Sequence, residues 1–170
     1  YGTSPKVRDA VLDYVTNNDA NLYPDGNASS LRSVLADYWN VVENQLVIGV
    51  GLDEVISMVN KTFINAGDSI VISVPAFSEY GLNGLVEGAV IREVPCIEAT
   101  GQYDFKAMRQ AVDDTTRLVW ICNPNNPTGT YESVEDIRNF ISTLPKDVLV
   151  IIDEAYIDFV TSVEVPTARA

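Results

Sequence analysis

The chain has no histidine, only two cysteines and no long apolar run. Without an imidazole, the sequence lacks the usual general base of neutral pH and the commonest ligand of transition metals, so we expect no metal site. Cys96 and Cys122 lie far apart, form no C-x-x-C pair, and each lies within or just after an apolar segment. This arrangement favours free, buried thiols in a reducing cytoplasm. Because no stretch of about 18 apolar residues occurs, the sequence predicts no membrane span.

Basic residues are scarce as well. The 170 residues include 11 Lys and Arg against 24 Asp and Glu, which gives a net charge of −13. The few cations are scattered, so a nucleic acid would find no basic stripe, and we expect no nucleic-acid partner. A hydrophobic content of 46% and a charged content of 21% are typical of one globular domain. The chain begins at Tyr1 without a methionine or a basic segment, so we expect no signal peptide and a start that is not native.

Apolar spacing predicts alternating helices and strands. Ser4-Pro5 supplies a helix start before a stripe at helical spacing, and a second stripe follows the irregular segment 21–27. A short strand, Leu46–Ile48, is expected to lead through glycines into a helix that Asp53 caps and that ends at Gly67. The remaining elements are expected as strand 69–74, helix from 78, strand 90–94, helix 105–112, strand 118–121, helix 133–144 and strand 148–152. Such alternation predicts a three-layer α/β/α fold with a mainly parallel sheet and helices on both faces.

Polar motifs follow the last two predicted strands. The segment Asn123–Gly129 reads Asn-Pro-Asn-Asn-Pro-Thr-Gly, is too rich in Asn, Pro and Gly for regular structure, and comes directly after a strand. The strand Val148–Ile152 is entirely aliphatic and is followed at once by Asp153 and Glu154. Ligands of open parallel sheets bind beyond the carboxyl ends of the strands. The two motifs together therefore predict a cofactor pocket at that edge of the sheet.

Asp153 carries the strongest chemical signal. A carboxylate at the end of an all-aliphatic strand loses hydration unless a cationic partner compensates, and a protonated ring nitrogen would be such a partner. The simpler interpretation, that Asp153 or Glu154 caps the following turn, is equally consistent with the local sequence. The same strand also resembles the Walker B strand that holds Mg²⁺ in nucleotide hydrolases. The companion motif G-x-x-x-x-G-K-[ST] is absent from the chain, which disfavours that alternative.

Two further motifs could contact a ligand. Gly49-Val50-Gly51 leads into a helix start, where free backbone N–H groups and the helix dipole favour phosphate, although Glu54 replaces the third glycine of a dinucleotide fingerprint. A tight turn followed by an N-cap is the simpler interpretation. Val74–Phe77 ends another strand in an aromatic ring, which could stack on a flat heterocycle or could merely pack in the core.

The order of these motifs resembles the fold-type I pyridoxal-phosphate aminotransferases, and among them most closely the histidinol-phosphate aminotransferases. The likeness extends over essentially all 170 residues. It rests on Tyr23-Pro24-Asp25, Gly51–Glu54, Val74–Phe77, Asn123–Gly129 and Asp153–Tyr156. It implies the large, cofactor-binding α/β domain of that fold, with residues 1–27 as an N-terminal helix and inter-subunit segment and residues 28–170 as a partial large domain.

The resemblance implies a role for each matching residue around the cofactor ring. Asp153 would pair with the pyridine nitrogen of pyridoxal 5′-phosphate and keep the ring protonated. Asn126 and Tyr156 would hydrogen-bond the phenolic oxygen of the ring, and these three residues are the catalytic candidates. Phe77 would stack on the ring face. Many relatives carry Tyr at this position, so a hydrogen bond from that hydroxyl would be absent here.

The resemblance also implies contacts to the cofactor phosphate. Backbone groups around Leu52 and Asp53 would bind it, and Tyr23 would reach the phosphate of the partner subunit's cofactor, which implies a homodimer. The family's catalytic lysine should follow the aspartate by roughly thirty residues in a Ser-Lys motif, but only 17 residues follow Asp153. We therefore expect a fragment that ends before that lysine and before the family's phosphate- and carboxylate-binding arginines, and that is inactive alone.

The activity that the resemblance implies is amino-group transfer. The expected donor is an amino compound, L-histidinol phosphate above all, and the expected acceptor is 2-oxoglutarate, within histidine biosynthesis. Other members of the superfamily transaminate or decarboxylate aromatic amino acids or phosphorylated amino alcohols, and these substrates stay open. The chain could also be a noncatalytic binding or dimerisation module.

Overall fold

The computed structural model describes residues 2–17 and 21–161. Internal contacts divide the chain into two compact units, residues 1–48 and 49–170, and each is described by itself. The boundary expected between residues 27 and 28 stays a prediction, and residues 162–170 of its second part lie outside the described residues. No helix among the residues that are described is both long and apolar enough to cross a membrane.

The described part of the first unit contains two α-helices. Helix α1 spans Pro5–Asn17 and helix α2 spans Ser29–Trp39, which confirms both helices predicted from the apolar stripes. The carboxylate of Asp25 accepts the backbone N–H groups of Asn27 and Ser29 at 2.9 and 2.8 Å. Asp25 thereby closes the turn that leads into α2, as short acidic side chains commonly do.

The strand predicted at Leu46–Ile48 is wrong. A short 3-10 helix, Glu43–Gln45, precedes this segment, and the segment itself is irregular. The carbonyl of Leu46 accepts a hydrogen bond from the guanidinium of Arg32, and Val47 is 70% exposed. No strand within the described residues pairs with this segment. Apolar content alone does not make a strand, because the backbone N–H and C=O groups also need a neighbouring strand with which to form hydrogen bonds.

The second unit alternates helices and strands. Its elements are α3 (Gly51–Phe63), β1 (Ser69–Val74), α4 (Glu79–Val86), β2 (Val90–Pro95), α5 (Phe105–Ala111), β3 (Thr116–Cys122), α6 (Val134–Ser142) and β4 (Leu149–Asp153). A short 3-10 helix, Ile157–Phe159, follows β4. All strand pairs are parallel, and the sheet order is β2-β1-β3-β4. The predicted α/β fold with a parallel sheet is confirmed.

Helix α3 begins differently from the prediction. It starts at Gly51, whose φ of +81° lies in the left-handed region that favours glycine. Asp53 does not cap the helix but lies within its first turn, and the side chain of Glu54 accepts the N–H of Val50 instead. Both carboxylates are nevertheless well placed, because acidic groups stabilise the positive end of the helix dipole.

The far end of α3 also differs from the prediction. The helix ends at Phe63, and Ile64 already has an extended backbone, so the predicted end at Gly67 is wrong. Gly67 has a φ of +93°, and its N–H donates to the carbonyl of Gly88 at 3.0 Å. This glycine therefore serves the turn before β1 rather than the end of the helix.

The core forms two layers, one on each face of the sheet. Ile70 and Ile72 of β1 pack in a cluster that includes Ile56 of α3 and Tyr80 of α4. Val71, between them in sequence, packs in the cluster formed with α5 and α6. Because successive side chains of a strand point to opposite faces, a strand buried on both sides reads as a continuous apolar run.

The carboxyl ends of β1, β3 and β4 lie at one edge of the sheet, because these strands are adjacent and parallel. Cys122 at the end of β3 is in register with Asp153 at the end of β4. The N–H of Asn123 then donates to the carbonyl of Asp153 at 2.8 Å. The polar segments that follow these strands therefore begin side by side, as the sequence predicts.

Gly84→Ala should destabilise the second unit. A Cβ at this position would lie 2.6 Å from Cδ1 of Ile70 and 3.0 Å from Cδ1 of Ile91. Overpacking typically costs about 1–3 kcal/mol, which outweighs the roughly 1 kcal/mol that alanine gains over glycine in a helix. We expect a lower free energy of unfolding in urea. Gly81→Ala in the same helix is the control, since its Cβ would meet Ile72 and Ile91 at ordinary distances of 3.6 and 3.7 Å. It should be stabilising, and equal effects of the two variants would contradict this packing.

Candidate functional site

Asp153 lies at the end of β4 and is buried, with 7% of the residue exposed. Its Oδ1 accepts the N–H of Ala155 at 2.9 Å, which is the contact that a turn cap makes. Its Oδ2 accepts the hydroxyl of Tyr80. None of the ion pairs formed within residues 2–17 and 21–161 involves Asp153. The carboxylate is therefore removed from water without a cationic side chain beside it, which is a costly arrangement for a charge.

Tyr80 is a site residue that sequence reasoning missed. It is 1% exposed, and its ring stacks on Trp120 with centroids 4.7 Å apart and planes inclined by 10°. Burial, followed by the hydrogen bond to Asp153, raises the pKa of its hydroxyl well above the ordinary range, so the hydroxyl stays protonated and donates. The available signal was spacing, because Phe77 and Tyr80 are three residues apart where the chain enters α4.

Phe77 lies next to Tyr80. It is half-buried, and the two rings meet edge to face with centroids 5.7 Å apart and planes at 80°. Tyr80 thus contacts the Phe77 ring with its own ring and the carboxylate of Asp153 with its hydroxyl. The structure brings two predicted site residues, Phe77 and Asp153, to the same cluster through this third side chain.

The segment Asn123–Gly129 is an irregular loop, as predicted. The side chain of Asn123 closes its base, since it donates to the carbonyl of Glu132 at 3.0 Å and accepts the N–H of Glu132 at 2.8 Å. Buried Asn125 accepts the hydroxyl of Tyr103 at 3.1 Å and donates to the carbonyl of Pro75 at 3.2 Å. The loop after β3 is thereby tied both to its own far end and to the loop after β1.

A cavity of about 590 Å³ opens beside this loop. Its walls include Asn126 and Tyr156, the two residues expected to meet one ligand oxygen. Asn126 is half-buried, Tyr156 is 44% exposed, and the ring of Phe159 lies 6.3 Å from that of Tyr156. Within the described part of the chain, Asp153 and Phe77 are not wall residues of this cavity. The predicted site thus consists of a buried cluster and an open cavity, joined by the short segment that leads from Asp153 to Tyr156.

The first turn of α3 is the expected anion site. Leu52 and Asp53 lie in this turn and are both exposed. Helix geometry leaves their N–H groups without an acceptor four residues earlier, so these groups are free to bind an anion. The side-chain charges of Asp53 and Glu54 act against an anion in the same place. Tyr23, in the first unit, is fully exposed.

The buried cluster and the cavity offer different groups that could each contact a flat, positively charged ring. Each oxygen of Asp153 accepts one hydrogen bond and keeps a further lone pair for a cation. The ring of Phe77 offers a stacking surface, while the Asn126 amide and the Tyr156 hydroxyl offer donors to an oxygen on the ring. No three His, Cys, Asp or Glu side chains in the described ranges gather closely enough to hold a metal ion.

Comparison with known proteins gives one consistent family. A family model described as aminotransferase class I and II matches residues 1–169. The histidinol-phosphate aminotransferase of Limosilactobacillus fermentum is 51% identical over 94% of this chain and 44% of that protein. That of Halalkalibacterium halodurans is 43% identical over 98% of this chain and 44% of that protein.

A solved structure extends the comparison to the fold. The histidinol-phosphate aminotransferase from Sinorhizobium meliloti, in complex with pyridoxal-5′-phosphate, superimposes with a TM-score of 0.82 at 26% identity. The match covers 91% of this chain and 41% of that one. The chain therefore spans less than half the length of the relatives that it matches.

Asn123→Ala should loosen the loop that follows β3. The variant loses both hydrogen bonds to Glu132 and leaves a buried N–H and a buried carbonyl unpaired, at about 1–3 kcal/mol each. We expect the free energy of unfolding in urea to fall by about 2 kcal/mol or more and amide hydrogen exchange at Glu132 to accelerate. Asn139→Ala, at an exposed position of α6, is the control and should be nearly neutral. Unchanged exchange at Glu132 would show that these paired bonds do not hold the loop.

Glu132 should make stability depend on pH. It is 5% exposed, one of its oxygens accepts the N–H of Tyr103 at 2.8 Å, and burial raises the pKa of its carboxyl. The folded protein therefore binds this proton more readily than the unfolded chain. The contribution of Glu132 is fully present below the unfolded pKa of about 4.3 and is lost as pH rises through the raised folded value.

Glu132→Gln tests this dependence because it keeps the acceptor and removes the charge. The variant should be more stable than the wild type near neutral pH, and the difference should shrink as pH falls toward about 4. Urea unfolding of both proteins across that range measures the effect. A difference that stays constant with pH would show that the carboxylate is not desolvated in the folded state.

Proposed function

The chain belongs to the class I and II aminotransferases, and on that premise we propose that the full-length protein is a transaminase that uses pyridoxal 5′-phosphate. The proposed amino donor is L-histidinol phosphate and the proposed acceptor is 2-oxoglutarate, which would place the reaction in histidine biosynthesis. Relatives named histidinol-phosphate aminotransferase, 41–51% identical to this chain, support the choice of donor. The observation that carries the cofactor proposal is the buried carboxylate of Asp153, which has no ion pair within the described residues.

Asp153 holds a proton on the ring nitrogen of the cofactor. The attraction between the carboxylate and the cation is stronger at a buried position than in water, because the effective dielectric constant is lower. Asp153 would also accept a charge-assisted hydrogen bond from the protonated ring nitrogen, which would offset the desolvation of the carboxylate. When bound, the protonated ring supplies an electron sink for the carbanion that forms as the substrate loses its α-proton.

Three other side chains orient the ring. Asn126 and Tyr156 hydrogen-bond its phenolic oxygen, and their shared position on one cavity wall supports this assignment. Phe77 stacks on the ring face, and its edge-to-face contact with Tyr80 limits where its own ring can lie. These contacts fix the plane of the ring, and a fixed plane is what a reaction at a neighbouring carbon needs.

The start of α3 would hold the phosphate of the cofactor. The N–H groups of Leu52 and Asp53 are the donors, supported by the positive end of the helix dipole. Tyr23 contributes from the other subunit of a homodimer. The complete exposure of Tyr23, and the exposed apolar residues Val7, Val11 and Val15 on α1, support a surface that a second copy covers.

Asp153→Ala in the full-length protein tests the proposal. Amino transfer from L-histidinol phosphate to 2-oxoglutarate, and the visible absorbance of bound cofactor, are measured for the wild type and the variant. Breaking a buried charge pair costs about 3 kcal/mol or more, which corresponds to a loss of about 100-fold in rate. The circular dichroism spectrum should be unchanged.

Asp147→Ala is the matched control. Asp147 precedes the same strand at its other end, and its side chain is 75% exposed, so its replacement should leave the rate unaltered. Near-normal turnover of Asp153→Ala would show that the carboxylate is only a turn cap. Transfer from aromatic amino acids instead, or release of carbon dioxide from a phosphorylated amino alcohol, would replace the proposed substrate. A full-length protein that binds no cofactor would be a noncatalytic module.

A further inference from the structure

Two hydrogen bonds hold the carboxylate of Asp153, one from a backbone N–H and one from a side-chain hydroxyl. The N–H of Ala155, part of the chain that follows β4, donates to Oδ1 at 2.9 Å. The hydroxyl of Tyr80, carried by a different element, donates to Oδ2. We propose that Tyr80 is a positioning residue, whose hydroxyl aims the Asp153 carboxylate at a cationic ring nitrogen. This inference rests on the proposed function, since it concerns the same cofactor.

The hydroxyl of Tyr80 is itself fixed in place. The ring is enclosed, being stacked on Trp120 at 4.7 Å and in edge contact with Phe77 at 5.7 Å, and only 1% of the residue is exposed. Packing on both sides of the ring fixes the position of the hydroxyl oxygen beside the carboxylate. The sulfur of Cys122 lies beside the same hydroxyl and is a second, weaker acceptor, whereas a carboxylate oxygen is the stronger acceptor for an O–H donor. The proton of the Cys122 thiol donates to the carbonyl of Pro124 at 3.2 Å.

Two fixed donors determine the plane of a carboxylate. With one donor alone, Asp153 could rotate about its side-chain bonds and place either oxygen toward the ligand. With one donor on each oxygen, the plane is set, and the lone pairs that stay free point in defined directions. A buried group whose donors are already arranged needs no reorganisation when the ligand arrives, which is the basis of electrostatic preorganisation.

Tyr80 also links the carboxylate of Asp153 to the ring of Phe77. Its hydroxyl contacts Asp153 and its ring contacts Phe77, the residue expected on the face of the cofactor. Tyr80 thereby contacts both the carboxylate that is proposed to pair with the cofactor nitrogen and the ring that is proposed to stack on the cofactor. A specific role therefore requires the hydroxyl, whereas a purely structural role requires only the ring.

Tyr80→Phe in the full-length protein separates these roles, because it keeps the ring and removes the hydroxyl. The readout is equilibrium binding of two probes, pyridoxamine 5′-phosphate and its analogue in which C–H replaces the ring nitrogen. The wild type should prefer the nitrogen-containing probe. The variant should lose about 10-fold or more of that preference, as expected for a hydrogen bond to a charged group. The affinity for the analogue should change little.

Three variants control the measurement. Asp153→Asn should abolish the preference, and adding Tyr80→Phe to it should cause no further loss, since both act on one contact. Tyr103→Phe removes another buried tyrosine hydroxyl, one that bonds to Asn125 and Cys122, and it should keep the preference. Loss of the preference in Tyr103→Phe would show a general effect of buried hydroxyls and would overturn the inference.

The outcomes separate this inference from the proposed function. If the wild type prefers the nitrogen-containing probe and Tyr80→Phe retains that preference, Tyr80 has only a structural role and the proposed function stands. If the wild type binds neither probe, or both equally, the pairing at Asp153 is wrong and both proposals fail.

A measurement on the wild type decides the case in which Tyr80→Phe does not fold. Proton NMR of protein labelled at tyrosine should show a slowly exchanging, downfield hydroxyl proton on Tyr80, because this proton is buried and bonded to a carboxylate. The signal should shift when pyridoxamine 5′-phosphate binds. A hydroxyl proton that exchanges freely with water, or one that does not respond to the probe, would overturn the inference.

Discussion

One buried carboxylate without a cation constrains the candidate site. Asp153 ends an aliphatic strand and is 7% exposed as a residue, and the residues described provide it with hydrogen-bond donors but with no ion pair. A neutral residue would pack there at lower cost, since an uncompensated buried charge is among the least favourable groups in a protein interior. Each oxygen of this carboxylate already accepts one hydrogen bond and keeps a lone pair free, which is what the proposed pairing with the ring nitrogen of the cofactor would use.

Parallel strands explain how residues distant in sequence come to the same edge of the sheet as this carboxylate. Since β1, β3 and β4 run in the same direction, the segments that follow them begin at one edge. Phe77 and Tyr80 come after β1 and Asn126 comes after β3, while Asp153 is the last residue of β4. Helix α4 turns Tyr80 back over the sheet, where Trp120 of β3 receives its ring. The sheet thus brings these segments close together, and the aromatic packing orients the side chain of Tyr80.

Much of this could be predicted from the sequence, and the exceptions have physical causes. Strands β1, β3 and β4 contain apolar runs bounded by polar residues, so their pattern is clear from the sequence. The segment Leu46–Ile48 is also apolar, but whether it pairs with a neighbouring strand depends on the tertiary structure and cannot be predicted from its composition. The prediction that Asp53 caps α3 was wrong because several acidic side chains lie near this helix start, and each of them could accept a backbone N–H there. Tyr80 was missed because a tyrosine in an apolar stretch is most often core, and its hydrogen bond joins residues 73 apart in sequence.

The paired bonds between Asn123 and Glu132 have a consequence for the loop that they close. They close the eight residues between them into a ring whose two ends are held together independently of what the ring contains. Inside the ring, Asn125 adds hydrogen bonds to Tyr103 and to the carbonyl of Pro75, so the loop is fixed at several points although it has no regular secondary structure. An irregular segment held in this way can present the amide of Asn126 to the cavity in one fixed orientation.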